Sequence, residues 1–320
     1  MNTFWENKRV LVTGGAGFVG THFLRQLLAQ HAQVFAVCHT SPMQSSDKDI
    51  CVFQGDLTEQ RFCQNIFTGV KFDVVIHCAA NTSGAAVIVN NPSVHIVNNI
   101  CMNTYLLDAA AKSGVKHFIF MSSSTVYPNL STPMKESQAF DDEPAPIYFG
   151  VGWMKRYTEK LCEFYHQQFG MQTLMLRPSQ IIGSGMPFHE GSHMVPGLIQ
   201  RALESTDQLI VWGSSDTTRD FIDAKDFVYA ALHMMPRTGV MNIASGKAVT
   251  TQDIVNLILQ SVQEFDHKSL TATYDSTKPQ TIHTRLVNNE QCQPFLPSPL
   301  TALADTIRVM VAHCWAQHHA

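Results

Sequence analysis

The sequence predicts an α/β protein: a doubly wound parallel sheet with a smaller C-terminal unit interleaved with it. Short β-branched runs alternate with longer helical patterns through the first half. A glycine-rich turn follows the first run directly. After residue 178 the alternation yields to Gly, Pro, Ser and His in "PSQIIGSGMPFHEGSHMVPG".

The runs "RVLVTG" (9–14), "QVFAVC" (33–38), "ICVFQG" (50–55), "FDVVIHCAA" (72–80), "KHFIFMSSS" (116–124) and "QTLMLRP" (172–178) read as strands. Their nearly continuous apolar character fits strands covered on both faces, as in a parallel sheet. Helical patterns at 17–30, 58–67, 93–112 and 151–168 lie between them, giving repeated β-α-β units with right-handed crossovers. The second half predicts a helix near 194–204, a strand "QLIVWG", a strand at 239–245 returning to the main sheet, and helices at 251–264 and 299–315. Residues 1–178 are expected to form one domain, and residues 179–320 mainly the other.

Of the 320 residues, 45% are hydrophobic and 15% charged, and the formal charge is −4. With a pI near 6.4, that balance argues against nucleic-acid or basic membrane-surface partners. No run approaches the roughly 20 apolar residues of a membrane span. The start goes straight into a strand with no charged-then-apolar leader, so a cytoplasmic protein is expected. The eight cysteines show no CxxC spacing and sit mostly in apolar runs, which reads as reduced, buried thiols. No metal site is expected; the terminal "HCWAQHHA" reads as a frayed tail.

"VLVTGGAGFVG" places Gly14, Gly15, Gly17 and Gly20 between the first strand and a helix that opens with Phe18 and Val19. Glycines let the backbone approach a pyrophosphate, and the helix N-terminus offers free N–H groups and the positive end of its dipole. A dinucleotide site is the reading, because the strand-turn-helix context accompanies the glycines. The second strand ends "VCHTSP", with no acid before Asp47. The carboxylate that would bind a ribose 2′-OH and repel a 2′-phosphate is absent. His39, Thr40 and Ser41 can donate to a phosphate, so NADP is preferred over NAD. In "GDL", Asp56 suits an adenine amine, beside Leu57, or a helix cap ahead of "LTEQ".

At this point the chain resembles the extended short-chain dehydrogenase/reductases, the Rossmann-type nucleotide-sugar epimerases and dehydratases. The matching residues are "TGGAGFVG", "GDL", "HCAA" (77–80), Asn99, "SSSTVYP" (122–128), Lys155 in "GWMKR", "LRPS" (176–179), "RDFI" (219–222) and "NIASG" (242–246). Within the family, "GSHMVPGLIQRA", "STKP" (276–279) and the Tyr-Pro of "SSSTVYP" look most like the GDP-L-fucose synthase branch. The resemblance implies hydride transfer at C4 of a nucleotide-linked sugar. It implies cofactor contacts from Ala79, Ala80, Asn99, Lys155 and Pro178. On the substrate side it implies Ser83, Ser124, Thr125, Gln180, His193, Arg201 and Trp212, with Arg219 on the diphosphate and Lys278 closing over it. Trp212 also reads as ordinary core, and Asp220 and Asp223 as structural partners. Family members commonly dimerise through the helices corresponding to 93–112 and 151–168.

The chemistry needs a proton donor at C4, in the family a tyrosine four residues before the lysine and aligned by a hydroxyl. Ser123 matches the hydroxyl position, with Ser122 and Ser124 as register alternatives. The tyrosine position, however, holds Val151, and Tyr148 lies seven residues before Lys155. Three readings stay open: an enzyme using Tyr148, a water or a substrate group; a weakened enzyme; or a binding protein on an enzyme scaffold. A runner-up within the family is a 4-epimerase or dehydratase with tightly held NAD. Ser124 and Thr125 stand where dehydratases carry an Asp-Glu pair, which counts against dehydration. Thr125 also replaces the cysteine of the fucose-synthase epimerisation pair, whose other member is His193. Threonine does not ionise near neutral pH, so simple 4-keto reduction is favoured over epimerisation.

Overall fold

The computed structural model describes residues 3–43, 49–82, 91–189, 192–278 and 282–319. In chain order the strands are β1 (Arg9–Thr13), β2 (Gln33–Cys38), β3 (Ile50–Gln54), β4 (Val74–His77), β5 (His117–Met121), β6 (Gln172–Pro178) and β7 (Gln180–Ile182). They continue as β8 (Gln208–Trp212), β9 (Thr218–Arg219), β10 (Phe221–Asp223), β11 (Gly239–Ile243), β12 (Val249–Thr250), β13 (Thr271–Asp275) and β14 (Thr284–Arg285). The helices are α1 (Phe18–Ala29), α2 (Gln60–Ile66), α3 (Val97–Lys112), α4 (Phe149–Phe169), α5 (Met194–Glu204), α6 (Ala224–His233), α7 (Thr251–Asp266) and α8 (Leu303–His318).

The main sheet has seven strands in the order β11-β6-β5-β4-β1-β2-β3, and every pairing in it is parallel. The order reverses between β1 and β4, so a crevice opens there at the strands' C-terminal ends. The apolar runs divide by parity. Val10 and Val12 enter one core cluster and Leu11 the other. Val74, Ile76 and Ile119 likewise oppose Val75, Phe118 and Phe120. Successive strand side chains point to opposite faces, and both faces here are covered by helices. α1 and α6 cover one face, and α2, α3 and α4 the other. Each fully buried Leu, Ile or Phe contributes about 1.5–3 kcal/mol.

β3 differs from the expectation of strands covered on both faces. It lies at the sheet edge, its residues are half-buried or exposed, and Val52 is 42% exposed. α6 carries no expectation from the sequence; its ten residues are largely buried and too few to display a clear stripe. The last helix begins at Leu303 rather than 299, because Thr301 is held outside it by Asp226, which accepts from the Thr301 N–H and hydroxyl.

A third core cluster unites α5, α7 and α8 with β8 and β10. Phe18, on the first turn of α1, packs against it, and His22 reaches the Ser184 carbonyl at 2.9 Å. The dinucleotide-type turn and the C-terminal half are therefore in direct contact. Small sheets add to this: β7 with β10, β8 with β13, and β12-β9-β14. All eight cysteines are free. No described helix is long and apolar enough to cross a membrane, and no metal-ligating cluster occurs among the described residues.

Candidate active site

The crevice begins at the glycine turn. Gly14 has φ +67°, and a Cβ on it would stand 2.9 Å from the Ala79 backbone, so the ends of β1 and β4 touch there. Gly15 donates to the Val37 carbonyl at 3.0 Å, and Gly17 caps α1 without a side chain over the helix end. The Phe18 and Val19 side chains pack into the core clusters, while Gly20 is buried in the same turn. The N–H groups of this first turn have no intrahelical acceptor, so the residues fit a dinucleotide pyrophosphate laid across them.

Beneath the turn runs a directed chain of hydrogen bonds. His77 is buried and its pKa is pulled down to about 4 by burial, so the ring is neutral. Asn103 donates its amide hydrogens to Thr158 and Met154, so its oxygen accepts from His77 Nε2 at 2.9 Å. Nδ1 must then accept from the Thr13 hydroxyl at 2.7 Å. Thr13 in turn accepts from the Ala79 N–H. Asn99 holds the next segment, accepting from the Asn81 N–H and donating to the Asn81 and His95 carbonyls. Ala80 is exposed at the mouth, and Pro178 ends β6 opposite Ile243. Ser83 lies outside the described residues.

At the end of β2, His39 stands 3.7 Å from Asp56 with both side chains exposed. Asp56 accepts from the Thr58 N–H at 2.8 Å, which with burial opposing holds its pKa below the usual range. That is a local turn and not a helix cap, since Glu59 is the residue before α2 and no side chain bonds to the helix end. Leu57 is buried in the core.

The end of β5 meets α4 closely. A Cβ on Gly152 would lie 2.6 Å from the Thr125 carbonyl, so glycine beside Val151 allows the Ser123–Thr125 turn to rest on the helix. Ser123 accepts from the Thr125 N–H at 3.1 Å. Ser122 donates to Glu159 at 2.5 Å, and Glu159 receives Arg177 bidentately at 2.9 and 2.6 Å. Ser124 accepts from Arg285 at 2.9 Å. The Thr125 hydroxyl is buried with no partner. Lys155 donates to the Met121 carbonyl at 2.7 Å and its ammonium lies 4.7 Å from the Phe120 ring centroid. Burial pulls its pKa down to about 8, against the opposing pull of Glu159 and Cys78. Near pH 7 the group remains a cation.

Tyr148 is the residue before α4, with φ −110° and ψ 11°, outside the helix as the pattern at 151–168 implied. Its ring centroid lies 4.5 Å from the Arg285 guanidinium. Arg285 pairs in register with Arg219 across β14 and β9. Arg219 is nearly buried and donates to the Thr218, His283 and Ile282 carbonyls. Burial pulls it down to about 10, Tyr148 raises it and Arg285 lowers it. Val151 lines a cleft of about 420 Å³ with His95, Ile96 and Phe149. His193 caps α5. More than a third of its surface is open, yet the surrounding walls desolvate the ring and lower its pKa, with His95 and His189 adding to the effect.

Further out, Arg201 and Lys278 place their charges 5.4 and 5.9 Å from the Trp212 ring centroid. Trp212 is 47% exposed, so it is not core. Gln180 opens β7 and donates its N–H to the Asp220 carbonyl. Asp220 accepts from Ser245 and Gly246, and Asp223 caps α6; both are structural. The structure thus draws together two groups: Ser124, Tyr148 and Arg219 through Arg285, and Arg201 with Lys278 on Trp212. Arg285 had no expectation from the sequence. It sits on a two-residue strand, and nothing local distinguishes it.

A profile of the NAD dependent epimerase/dehydratase family matches residues 10–244. A dTDP-4-dehydro-6-deoxy-D-allose reductase of Streptomyces bikiniensis is 27% identical, covering 98% of each chain. A GDP-L-fucose synthase of Escherichia coli K12 is 27% identical over 80% of this chain and 82% of its own. In fold, the chain resembles a UDP-glucose 4-epimerase from Thermotoga maritima solved with UDP-glucose, with a TM-score of 0.83 and 23% identity. That likeness covers 98% of this chain and 100% of the other.

Proposed function

Because the chain belongs to the NAD-dependent epimerase/dehydratase family, we infer that it reduces the 4-keto group of a nucleotide-linked 6-deoxy sugar without epimerising it. The observation that carries this reading is the Ser123–Thr125 turn resting on α4 beside Lys155. It sets a hydroxyl and a cation at the crevice. Thr125, which cannot ionise near neutral pH, stands where epimerisation would need a base. The bound nicotinamide would supply the hydride to C4. Lys155 holds the cofactor ribose and lends positive charge, and Ser123 orients the carbonyl oxygen. Gly14, Gly15, Gly17 and Gly20, with the backbones of Phe18 and Val19, hold the pyrophosphate. Arg219 already donates to the Thr218, Ile282 and His283 carbonyls, so it lends charge on the diphosphate side instead of a guanidinium fork, and Trp212 with Arg201 and Lys278 offers a face for the nucleoside. His193 approaches the sugar from α5. NADP is the preferred cofactor on the strength of His39 at the 2′ position. We place the enzyme in the cytoplasm.

The reading includes a homodimer across α3 and α4, supported by the exposed Phe149, Trp153, Tyr157 and Phe164 on α4. Light scattering on the purified chain tests it; a monomer at micromolar concentration contradicts it.

The activity is tested by following NADPH oxidation with a dTDP-linked 4-keto-6-deoxyhexose and with GDP-4-keto-6-deoxymannose, in D2O. Oxidation without deuterium at C3 or C5 is expected. Deuterium there shows epimerisation and refutes the simple reduction. Binding of both ligands without oxidation favours the non-catalytic reading that Val151 motivates.

A further inference from the structure

The reductase reading leaves one role unfilled at Val151, and the residues around Arg285 address it. Other phenols in the neighbourhood are committed. Tyr127, close to Ser123 in sequence, is 1% exposed; it donates to Asn242 at 2.6 Å and accepts from Arg177 at 3.0 Å. Burial pushes it up to about 12. Tyr157 is 48% exposed among the outward residues of α4. Tyr127 meets the catalytic turn through its backbone, donating its N–H to the Ser124 carbonyl at 3.3 Å, whereas the Tyr148 ring is linked to it through a side chain. Arg285 bridges the two, donating to Ser124 at 2.9 Å and lying 4.5 Å from the Tyr148 ring centroid. No carboxylate pairs with Arg285 among the described residues. Arg219, its register partner on β9, is close enough for its charge to feel Tyr148.

We propose that Arg285 is a positioning residue that clamps Tyr148 against the Ser124 turn, making Tyr148 the proton donor that α4 lacks at Val151. The proposal rests on the reductase reading. As the hydride from a reduced nicotinamide dinucleotide bonds to C4, the carbonyl π pair moves onto O4. O4 forms a bond to the Tyr148 phenolic proton, the phenol O–H bond breaks, and its electron pair stays on Tyr148 as phenolate. Arg285 and Arg219 place two positive charges beside that anion, which water then reprotonates. In the usual arrangement of this chemistry the cation is a lysine one helical turn away. Here Lys155 is bound to the Met121 carbonyl, and the arginine on β14 takes the place beside the phenol.

Two arms test this. In the first, 3-fluorotyrosine is incorporated and Tyr148→Phe assigns its resonance among the seven tyrosines. Arg285→Ala must shift the Tyr148 signal; an unmoved signal refutes the clamp whatever the enzyme does. In the second, kinetics use NADPH and the two keto-sugar nucleotides named above. Tyr148→Phe is expected to lower kcat by 10²-fold or more with dinucleotide affinity unchanged, and Tyr148→Phe with Val151→Tyr to recover much of it. Arg285→Ala is expected to lower kcat more than it raises KM, with partial rescue by Arg285→Lys. Full kcat in Tyr148→Phe overturns the proposal. Failure of the unaltered chain to oxidise NADPH with either probe overturns the reductase reading itself and the proton transfer built on it, and the fluorine arm then decides the clamp alone.

Discussion

Glu159→Gln removes one negative charge at the point where β5, β6 and α4 meet. Glu159 is fully buried, receives Arg177 at 2.9 and 2.6 Å and Ser122 at 2.5 Å, and raises the pKa of Lys155. Glutamine preserves shape and one acceptor oxygen, so little packing is lost. Arg177, 1% exposed, then keeps its charge with Tyr127 and the Glu136 carbonyl as its remaining partners. Breaking one side of a buried pair costs about 3–5 kcal/mol, because the other charge is left uncompensated. Retained hydrogen bonds place this case near the lower end, about 3 kcal/mol. Urea denaturation should show that loss as a lower midpoint with an unchanged slope. A second effect is specific to the site. Without the Glu159 charge, the Lys155 pKa falls below about 8, so dinucleotide affinity should decline at a lower pH than in the unaltered chain. A stability change under 1 kcal/mol would refute the account of Arg177 as dependent on Glu159. An unmoved pH profile would refute the coupling to Lys155.

Other outcomes are expected. Gly14→Ala forces a side chain at φ +67° against the Ala79 backbone and should weaken dinucleotide binding at least tenfold by fluorescence titration, while circular dichroism stays native. His77, whose folded pKa of about 4 lies below the unfolded 6.5, is neutral when folded and charges more readily when unfolded. The unfolded state therefore binds more protons between pH 6.5 and 4, and stability falls across that window by about 3 kcal/mol; His77→Gln should flatten this part of the curve. Lys155 works in another window. From pH 8 to 10.5 the unfolded chain retains a proton the folded one has lost, so stability rises with pH, and Lys155→Met removes that slope. Trp212→Ala should weaken nucleotide-sugar binding by about tenfold in calorimetry without changing dinucleotide affinity, since the exposed ring holds two cations at 5.4 and 5.9 Å from its centroid.

Sequence alone determined the parallel sheet, because runs such as "VLV" and "VVI" are apolar at every position and only a sheet covered on both faces consumes both parities. It also singled out the glycine turn, Ser123 and Lys155 as candidates, each written in one contiguous stretch whose local geometry follows from its residue types. Val151 was equally legible as a valine where the family resemblance expects a tyrosine. β3 was misjudged on coverage, since an edge position is a property of strand order and not of the strand. The helical pattern at 151–168 already left Tyr148 outside the helix, but only the tertiary structure placed Arg285 against the Tyr148 ring. The two are 137 positions apart, joined through a two-residue strand whose register against β9 is set by long-range pairing. A short strand has no periodicity to read, and a cation stacked across such a distance leaves no local trace. For that reason the sequence posed the question of the proton at Val151, and the packing of β14 against the Ser124 turn supplied the residue to test.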